Sequence, residues 1–139
     1  MELSARVLSV KPSVTLEIAA KAKAMKAQGI DVISLSAGEP DFDTPEPIKD
    51  AAIDALRKGQ TKYTPVPGTV ELRQAVCRKL KRDQALDFTP DQIVVGCGAK
   101  HVIFNVLFAL LNPGDEVLIP SPFWLSYPEM VTVLGGTSV

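Results

Sequence analysis

The sequence is poor in cysteine and histidine, the residues on which disulfide frameworks and most zinc sites depend. It contains two cysteines, Cys77 and Cys97, and one histidine, His101. Two thiols so far apart form neither a disulfide framework nor a zinc-binding pattern. No serine or carboxylate stands at a spacing that would make His101 part of a catalytic triad, so we interpret this histidine as structural. We therefore predict no metal site.

The chain also lacks an excess of charge and a long apolar run. Fifteen basic and sixteen acidic residues give a net charge of −1, which offers no electrostatic attraction for nucleic acid or an anionic membrane. The longest apolar segment, 102–111, is too short to span a bilayer. The N-terminus has no basic stretch followed by an apolar one, as a secretory signal would. These absences predict a soluble cytoplasmic protein without nucleic-acid or membrane partners.

What the sequence does contain is an alternation of helix and strand patterns. Alternation of this kind predicts an α/β fold in which helices flank a mostly parallel sheet. The helix that begins near Gly98 is apolar on most sides, which predicts burial on most sides. The final strand pattern has only begun at Val139, so the sheet is expected to be incomplete and the chain to be a fragment. The predicted helices cover 13–28, 45–58, 70–84, 98–111 and 127–134, and the predicted strands 32–35, 93–97, 116–119 and 137–139.

An acidic loop, SAGEPDFDTP at 36–45, separates the first predicted strand from the second predicted helix. Gly38 has no Cβ, so its backbone can approach a ligand closely. Thr44 and Pro45 fit the N-cap and first position of a helix. Turn and cap roles account for Asp41 and Asp43. Two interpretations of the loop remain: a ligand-facing wall, or a well-capped surface turn.

A second candidate site lies where the strand at 93–97 turns into a helix, in the sequence GCGAK at 96–100. Free N–H groups at a helix N-terminus attract an anion such as phosphate, and Lys100 adds a positive charge. The dinucleotide fingerprint is excluded because its third glycine would fall on His101, and no P-loop motif is present. The alternative is that Gly96 and Gly98 only allow close packing and that Lys100 is solvated.

Two aromatic residues lie in predicted loops. Trp124 follows a predicted strand and can stack on a planar ring, although a lone tryptophan is more often part of a core. Tyr63 can present its hydroxyl group to a phosphate or to a partner subunit, or it can anchor its own loop.

Together these segments resemble the N-terminal part of class I pyridoxal-phosphate aminotransferases, in the bacterial and plastid-type aspartate aminotransferase branch that includes prephenate-using members. The resemblance covers essentially the whole chain. Phe123 and Ala99 replace the tyrosine and the second glycine that are usual in the family. The segments are AGEPDFDTP at 37–45, TKYTP at 61–65 with Gly68 and ELR at 71–73, GAK at 98–100, NPGDEV at 112–117, and SPFW at 121–124 with SYPE at 126–129.

The resemblance implies a role for each matching residue. It implies that Gly38 and Trp124 contact the substrate and that Trp124 also stacks on the pyridoxal phosphate ring. It implies that Gly98, Ala99 and Lys100 bind the phosphate of this cofactor. Tyr63 would reach the phosphate that is bound by the other subunit of a homodimer.

The resemblance further implies a pyridoxal-phosphate-dependent transferase of fold type I. Residues 1–44 would belong to its small domain and residues 45–139 to the start of its large cofactor-binding domain. The parent enzyme would transfer an amino group from an amino acid, L-aspartate first, to 2-oxoglutarate. The family's covalent lysine would lie beyond Val139, so the chain as written contains no catalytic residue and is expected to be inactive. The alternatives are an alanine, aromatic or prephenate aminotransferase, a carbon–sulfur lyase, or a non-catalytic truncated product.

Overall fold

A computed structural model describes residues 2–36 and 38–139. Ala37, the first residue of the first family segment, lies outside this part of the chain. Contacts within the chain divide it into two compact units. The first consists of Met1–Ile48 and Leu111–Val139, and the second of Lys49–Leu110. The expected division into domains at residue 44 concerns the arrangement of a longer protein and stays a prediction.

The N-terminal part of the first unit is helical. Helix α1 (Ala5–Leu8) has no counterpart in the sequence prediction, whereas α2 (Val14–Ala27) was predicted. The Ser13 hydroxyl oxygen caps α2 by accepting from the Leu16 N–H at 3.4 Å. At the other end, Gly29 has a φ of +80° and Ile30 N–H donates to Met25 O at 3.1 Å. This left-handed stop at glycine is the helix end that the sequence predicts.

The C-terminal part of the first unit is a small β–α–β arrangement. Strands β1 (Glu116–Val117) and β2 (Thr137–Ser138) pair in parallel, with Glu116 opposite Thr137, and helix α6 (Ser126–Val133) connects them. Met130 and Val131 of α6 are the only buried apolar side chains in the part of the chain that the structure describes, and of the two Val131 is fully buried. A Cβ on Gly136 would lie 3.0 Å from Val131 Cγ1, so glycine allows this close packing.

The second unit contains most of α3 (Glu46–Arg57), α4 (Val70–Gln84), a 3₁₀ turn (Pro90–Gln92) and α5 (Ala99–Leu110). The Thr69 hydroxyl oxygen caps α4 by accepting from the Leu72 N–H at 3.3 Å. Arg73 on α4 donates from Nη1 to Pro90 O at 2.9 Å, which ties the 3₁₀ turn to this helix. Val95 N–H donates to Pro67 O at 3.0 Å. The segment that leads into α5 is therefore held beside the loop that precedes α4.

The sheet is smaller than predicted. Within 2–36 and 38–139, only β1 and β2 pair as strands, so the predicted strands at 32–35 and 93–97 are wrong as paired strands. Ile93 does have an extended backbone, with φ −110° and ψ 126°. A strand also requires a second strand with which it exchanges a series of hydrogen bonds. Among the described residues neither segment has one, and the only backbone hydrogen bond of 93–97 to a distant part of the chain is that from Val95 N–H to Pro67 O.

The predicted burial of the apolar helix α5 is also wrong for this chain. None of its side chains is fully buried, and Phe108 and Leu110 are 66% and 70% exposed. Val102, Ile103, Phe104 and Leu107 are half-buried, so the helix covers one side only. None of the helices in the described residues combines the length and the apolar character needed to cross a membrane.

Candidate functional site

The candidate residues fall in both units: Tyr63 and 98–100 in the second, Gly38 and Trp124 in the first. In the second unit, Gly98 stands immediately before α5. Its carbonyl oxygen accepts from Val102 N–H at 3.2 Å, and its φ is +90°. Apart from its chain neighbours, no described atom lies within 4 Å of the position that a Cβ on Gly98 would take. Glycine is therefore needed at this position for its backbone conformation rather than for space.

The first turn of α5 contains N–H groups that are free to bind an anion. Gly98 N–H donates to Gly96 O at 2.9 Å, and Cys97 N–H donates to His101 Nδ1 at 3.1 Å. In contrast, the N–H groups of Ala99, Lys100 and His101 have no acceptor among the described residues. The Lys100 side chain is exposed. Three unpaired N–H groups, a helix dipole and a lysine fit the phosphate group of a cofactor.

Gly96 has a different role from Gly98. A Cβ on Gly96 would lie 2.7 Å from Val102 Cγ2 and 3.2 Å from His101 Nδ1. Gly96 therefore allows the close packing of turn and helix, while Gly98 provides the left-handed conformation. The packing interpretation of these glycines and the anion-binding interpretation are compatible.

In the first unit, the acidic loop is open around Gly38. No described atom lies within 4 Å of the position of a Cβ on Gly38. Asp41 Oδ1 accepts from Phe42 N–H at 3.1 Å, and Asp43 Oδ1 accepts from Thr44 N–H at 2.8 Å. These contacts are those of turn-forming aspartates. Helix α3 then begins at Glu46, one residue after the predicted start at Pro45.

Trp124 is not a core residue in this structure, because its side chain is 57% exposed. Its indole Nε1–H donates to Ser126 Oγ at 3.1 Å, and its carbonyl oxygen accepts from Tyr127 N–H at 3.0 Å. The ring is thus oriented by the first residue of α6. Sequence reasoning did not identify Ser126 as a partner of Trp124, although a serine two residues after an exposed tryptophan can accept such a bond.

The Tyr63 side chain is fully exposed. It lies in the loop before α4, where Gly68 N–H donates to Pro65 O at 2.9 Å and Gly68 has a φ of +102°. The Tyr63 hydroxyl group forms no hydrogen bond with any described residue. This exposure leaves the hydroxyl group accessible to a ligand or to another chain.

The clearest electrostatic shift lies away from these residues, near the end of α4. Arg82 and Lys79 donate to the carboxylate of Asp83, and these contacts lower its pKa to about 2. All three side chains are on the surface, so the cluster is a solvated ion pair.

Comparisons with known proteins agree along the chain. Residues 30–139 match the family model of aminotransferase class I and II. The chain is 57% identical over 137 residues to an aspartate aminotransferase of Bacillus sp. (strain YM-2), covering 99% of this chain and 35% of that protein. It is 59% identical over 128 residues to a probable aspartate/prephenate aminotransferase of Rhizobium leguminosarum bv. phaseoli, covering 92% of this chain and 32% of that protein.

The fold is similar to that of solved aminotransferase structures. The aspartate aminotransferase of Thermus thermophilus with maleate matches with a TM-score of 0.95 and 50% identity, covering all of this chain and 36% of that chain. The aspartate aminotransferase of Rhizobium meliloti matches with a TM-score of 0.93 and 47% identity. The predicted fold type is confirmed, and the chain spans about a third of the length of the relatives that it matches.

Proposed function

This chain belongs to the aminotransferase class I and II family, and we propose that it forms part of an enzyme that transfers an amino group from L-aspartate to 2-oxoglutarate. Because the chain spans about a third of its relatives, the activity is assigned to a protein of their full length that carries this chain, hereafter the family-length protein. The observation that carries the proposal is 57% identity to an aspartate aminotransferase over 99% of the chain.

The cofactor that we propose is pyridoxal phosphate. When bound, it supplies an electron sink for bond changes at the α-carbon of the amino acid. The proposal is supported by the anion-binding character of the N-terminus of α5, where Ala99 and Lys100 offer unpaired N–H groups. Lys100 adds a positive charge there. The left-handed conformation of Gly98 turns the backbone into the first residue of α5.

Gly38 and Trp124 are proposed to bind the substrate. The absence of a Cβ on Gly38, in open surroundings, allows a substrate carboxylate to approach the backbone closely. The exposed Trp124 ring offers a flat apolar surface on which the cofactor ring can stack, and the bond to Ser126 limits its rotation. Tyr63 is proposed to contact the cofactor phosphate of the partner subunit in a homodimer, for which its full exposure leaves it accessible.

Prephenate is the second candidate substrate, as an amino-group acceptor. It is favoured over other acceptors because several relatives, from Rhizobium leguminosarum bv. phaseoli and Nitrosomonas europaea among others, are named aspartate/prephenate aminotransferases.

In the family-length protein, we place 1–44 in the small domain and 45–139 in the large cofactor-binding domain.

The test is an assay of the family-length protein with pyridoxal phosphate, L-aspartate and 2-oxoglutarate, in which oxaloacetate is measured. We expect turnover, and a second turnover when prephenate replaces 2-oxoglutarate. The matched control is the same protein assayed without L-aspartate. No oxaloacetate above this control would contradict the proposal.

A further inference from the structure

We propose that His101 is a positioning residue for the phosphate end of the cofactor site. In its neutral form with the proton on Nε2, it holds the turn at 96–98 against the first turn of α5. The inference rests on the proposed function, since it concerns the site at which we place the cofactor phosphate. It also changes the interpretation of His101, which sequence reasoning treated only as a structural residue.

The first observation is the hydrogen bond between the turn and the histidine ring. Cys97 N–H donates to His101 Nδ1 at 3.1 Å. Because Nδ1 accepts, it carries no proton, so the neutral ring carries its proton on Nε2. An imidazolium ring would present an N–H group to the Cys97 N–H and could not accept this bond. The contact therefore selects one tautomer and one charge state.

The second observation is the contact on the other side of the ring. Asn105, one helical turn further along α5, has Nδ2 at 3.1 Å from His101 Nε2. Since Nε2 carries the proton, the partner atom must be an acceptor. An asparagine amide can meet this requirement by exchanging the positions of Oδ1 and Nδ2, which places the acceptor Oδ1 against Nε2. The tautomer is thus set by the bond from Cys97, and the Asn105 side chain can accept from the proton on Nε2.

The third observation is the packing of Gly96. A Cβ at this position would lie 3.2 Å from His101 Nδ1 and 2.7 Å from Val102 Cγ2, so the turn lies directly against the ring. The bond to His101 also occupies the Cys97 N–H, and Gly96 O occupies the Gly98 N–H. The N–H groups that remain for a phosphate belong to the first turn of α5, and His101 fixes the turn that leads into them.

The consequence is preorganisation of the phosphate site. Without the acceptor at Nδ1, the turn has additional conformations, and their loss on binding weakens the affinity for a phosphate. One hydrogen bond of ordinary net strength corresponds to about a fivefold change in affinity. The affinity for the part of the cofactor other than its phosphate should not change.

The test compares His101→Leu with His101→Asn in the family-length protein. The two substituted side chains are similar in shape, but only asparagine offers an oxygen acceptor near the position of Nδ1. Equilibrium dialysis of the apoprotein measures the dissociation constants of pyridoxal phosphate and of pyridoxal, which lacks the phosphate. We expect His101→Leu to bind pyridoxal phosphate about fivefold more weakly with pyridoxal affinity unchanged, and His101→Asn to recover most of the loss.

The outcomes separate this inference from the proposed function. Preference of the wild type for pyridoxal phosphate, together with equal affinities of wild type and His101→Leu, would overturn only the inference. An equal loss for both ligands would also overturn it, because it would indicate a general packing role. If the wild type does not prefer pyridoxal phosphate to pyridoxal, the proposed phosphate site fails and the inference fails with it.

A second measurement does not depend on a folded leucine variant or on the cofactor. Histidine labelled with ¹⁵N in the wild-type protein reports the tautomer of each ring, and the His101 signals are identified by their absence in His101→Asn. We expect an unprotonated Nδ1 and a protonated Nε2. A ring with its proton on Nδ1 would overturn the proposed contact with Cys97, whatever the binding data.

Discussion

The turn at 96–101 and the loop at 38–44 differ in how their conformations are fixed. In the turn, three N–H groups are bonded to acceptors no more than four residues away: Cys97 to His101, Gly98 to Gly96, and Val102 to Gly98. In the loop, Asp41 Oδ1 accepts from Phe42 N–H, Asp43 Oδ1 accepts from Thr44 N–H, and no described atom lies within 4 Å of the position of a Cβ on Gly38. The turn is therefore preorganised by its own sequence, whereas the loop has room for a ligand.

The largest effect is expected when a methyl group is added to the turn, and the same addition to the loop is its control. Gly96→Ala places a Cβ 2.7 Å from Val102 Cγ2, a β-branched side chain that is stiff in a helix. We expect a loss of about 1–3 kcal/mol in stability and roughly tenfold weaker binding of pyridoxal phosphate. The matched variant Gly38→Ala adds its Cβ to open space, so its melting temperature should not change. Thermal melts and cofactor dialysis of the family-length protein measure both.

Gly38→Ala is nevertheless expected to affect the substrate. If a carboxylate approaches this backbone, a Cβ interferes with it, and KM for L-aspartate should rise about tenfold with cofactor affinity unchanged. A Gly38→Ala enzyme with wild-type KM would remove Gly38 from the substrate site. A Gly96→Ala protein that melts and binds cofactor like the wild type would remove the difference between the two regions.

The same contrast explains what the sequence predicted and what it did not. The ends of α2 and α4 were predictable because Ser13, Thr69 and Gly29 act on N–H and carbonyl groups within a few residues. The segments at 32–35 and 93–97 were overpredicted as strands because pairing requires a partner that local sequence does not specify. Burial of α5 was overpredicted for a related reason, since an apolar surface does not specify what covers it.

In the candidate site, too, the features set by nearby residues were predictable and those that depend on a particular partner were not. The helix N-terminus after Gly98 was predictable because glycine spacing and a following helix determine it locally. The bond from Cys97 to His101 and the bond from Trp124 to Ser126 were missed, because they depend on side-chain rotamers. The proposed roles of Gly38, Tyr63 and Trp124 come from family resemblance rather than from local physics.

A smaller effect is expected at Trp124, which tests whether the first unit also contains a preorganised part of the site. Ser126→Ala removes the acceptor of the Trp124 Nε1–H and leaves the ring, while Trp124→Phe keeps an aromatic face and removes the donor. Because the hydrogen bond is exposed, we expect Ser126→Ala to lower kcat/KM for L-aspartate only about two- to fivefold. Trp124→Phe should lower it at least as much, since it also reduces the stacking surface.

Two results would contradict these expectations. If Ser126→Ala has no effect on kcat/KM while Trp124→Phe lowers it, the ring contributes but its bond to Ser126 does not position it. If neither changes kcat/KM, the proposed stacking role of Trp124 is contradicted. Stability measured in parallel shows whether α6, which begins at Ser126, has been affected.

The smallest effect is expected at Asp83, whose carboxylate forms short ion pairs but lies on the solvated surface. Its pKa is lowered to about 2, first by Arg82 and then by Lys79, below the value of about 3.9 in an unfolded chain. The stabilisation is therefore present above about pH 4 and is lost as the pH falls through about 2.

Salt screens exposed pairs, so we expect Asp83→Asn to lower the melting temperature slightly at neutral pH and low salt, and not at about 1 M salt. Asp87→Asn, which removes a carboxylate bonded to one described side chain, that of Lys81, is the matched control and should have a still smaller effect. A loss at Asp83 as large as that of Gly96→Ala would show that surface ion pairs, rather than the close packing of the turn, determine the stability of this region.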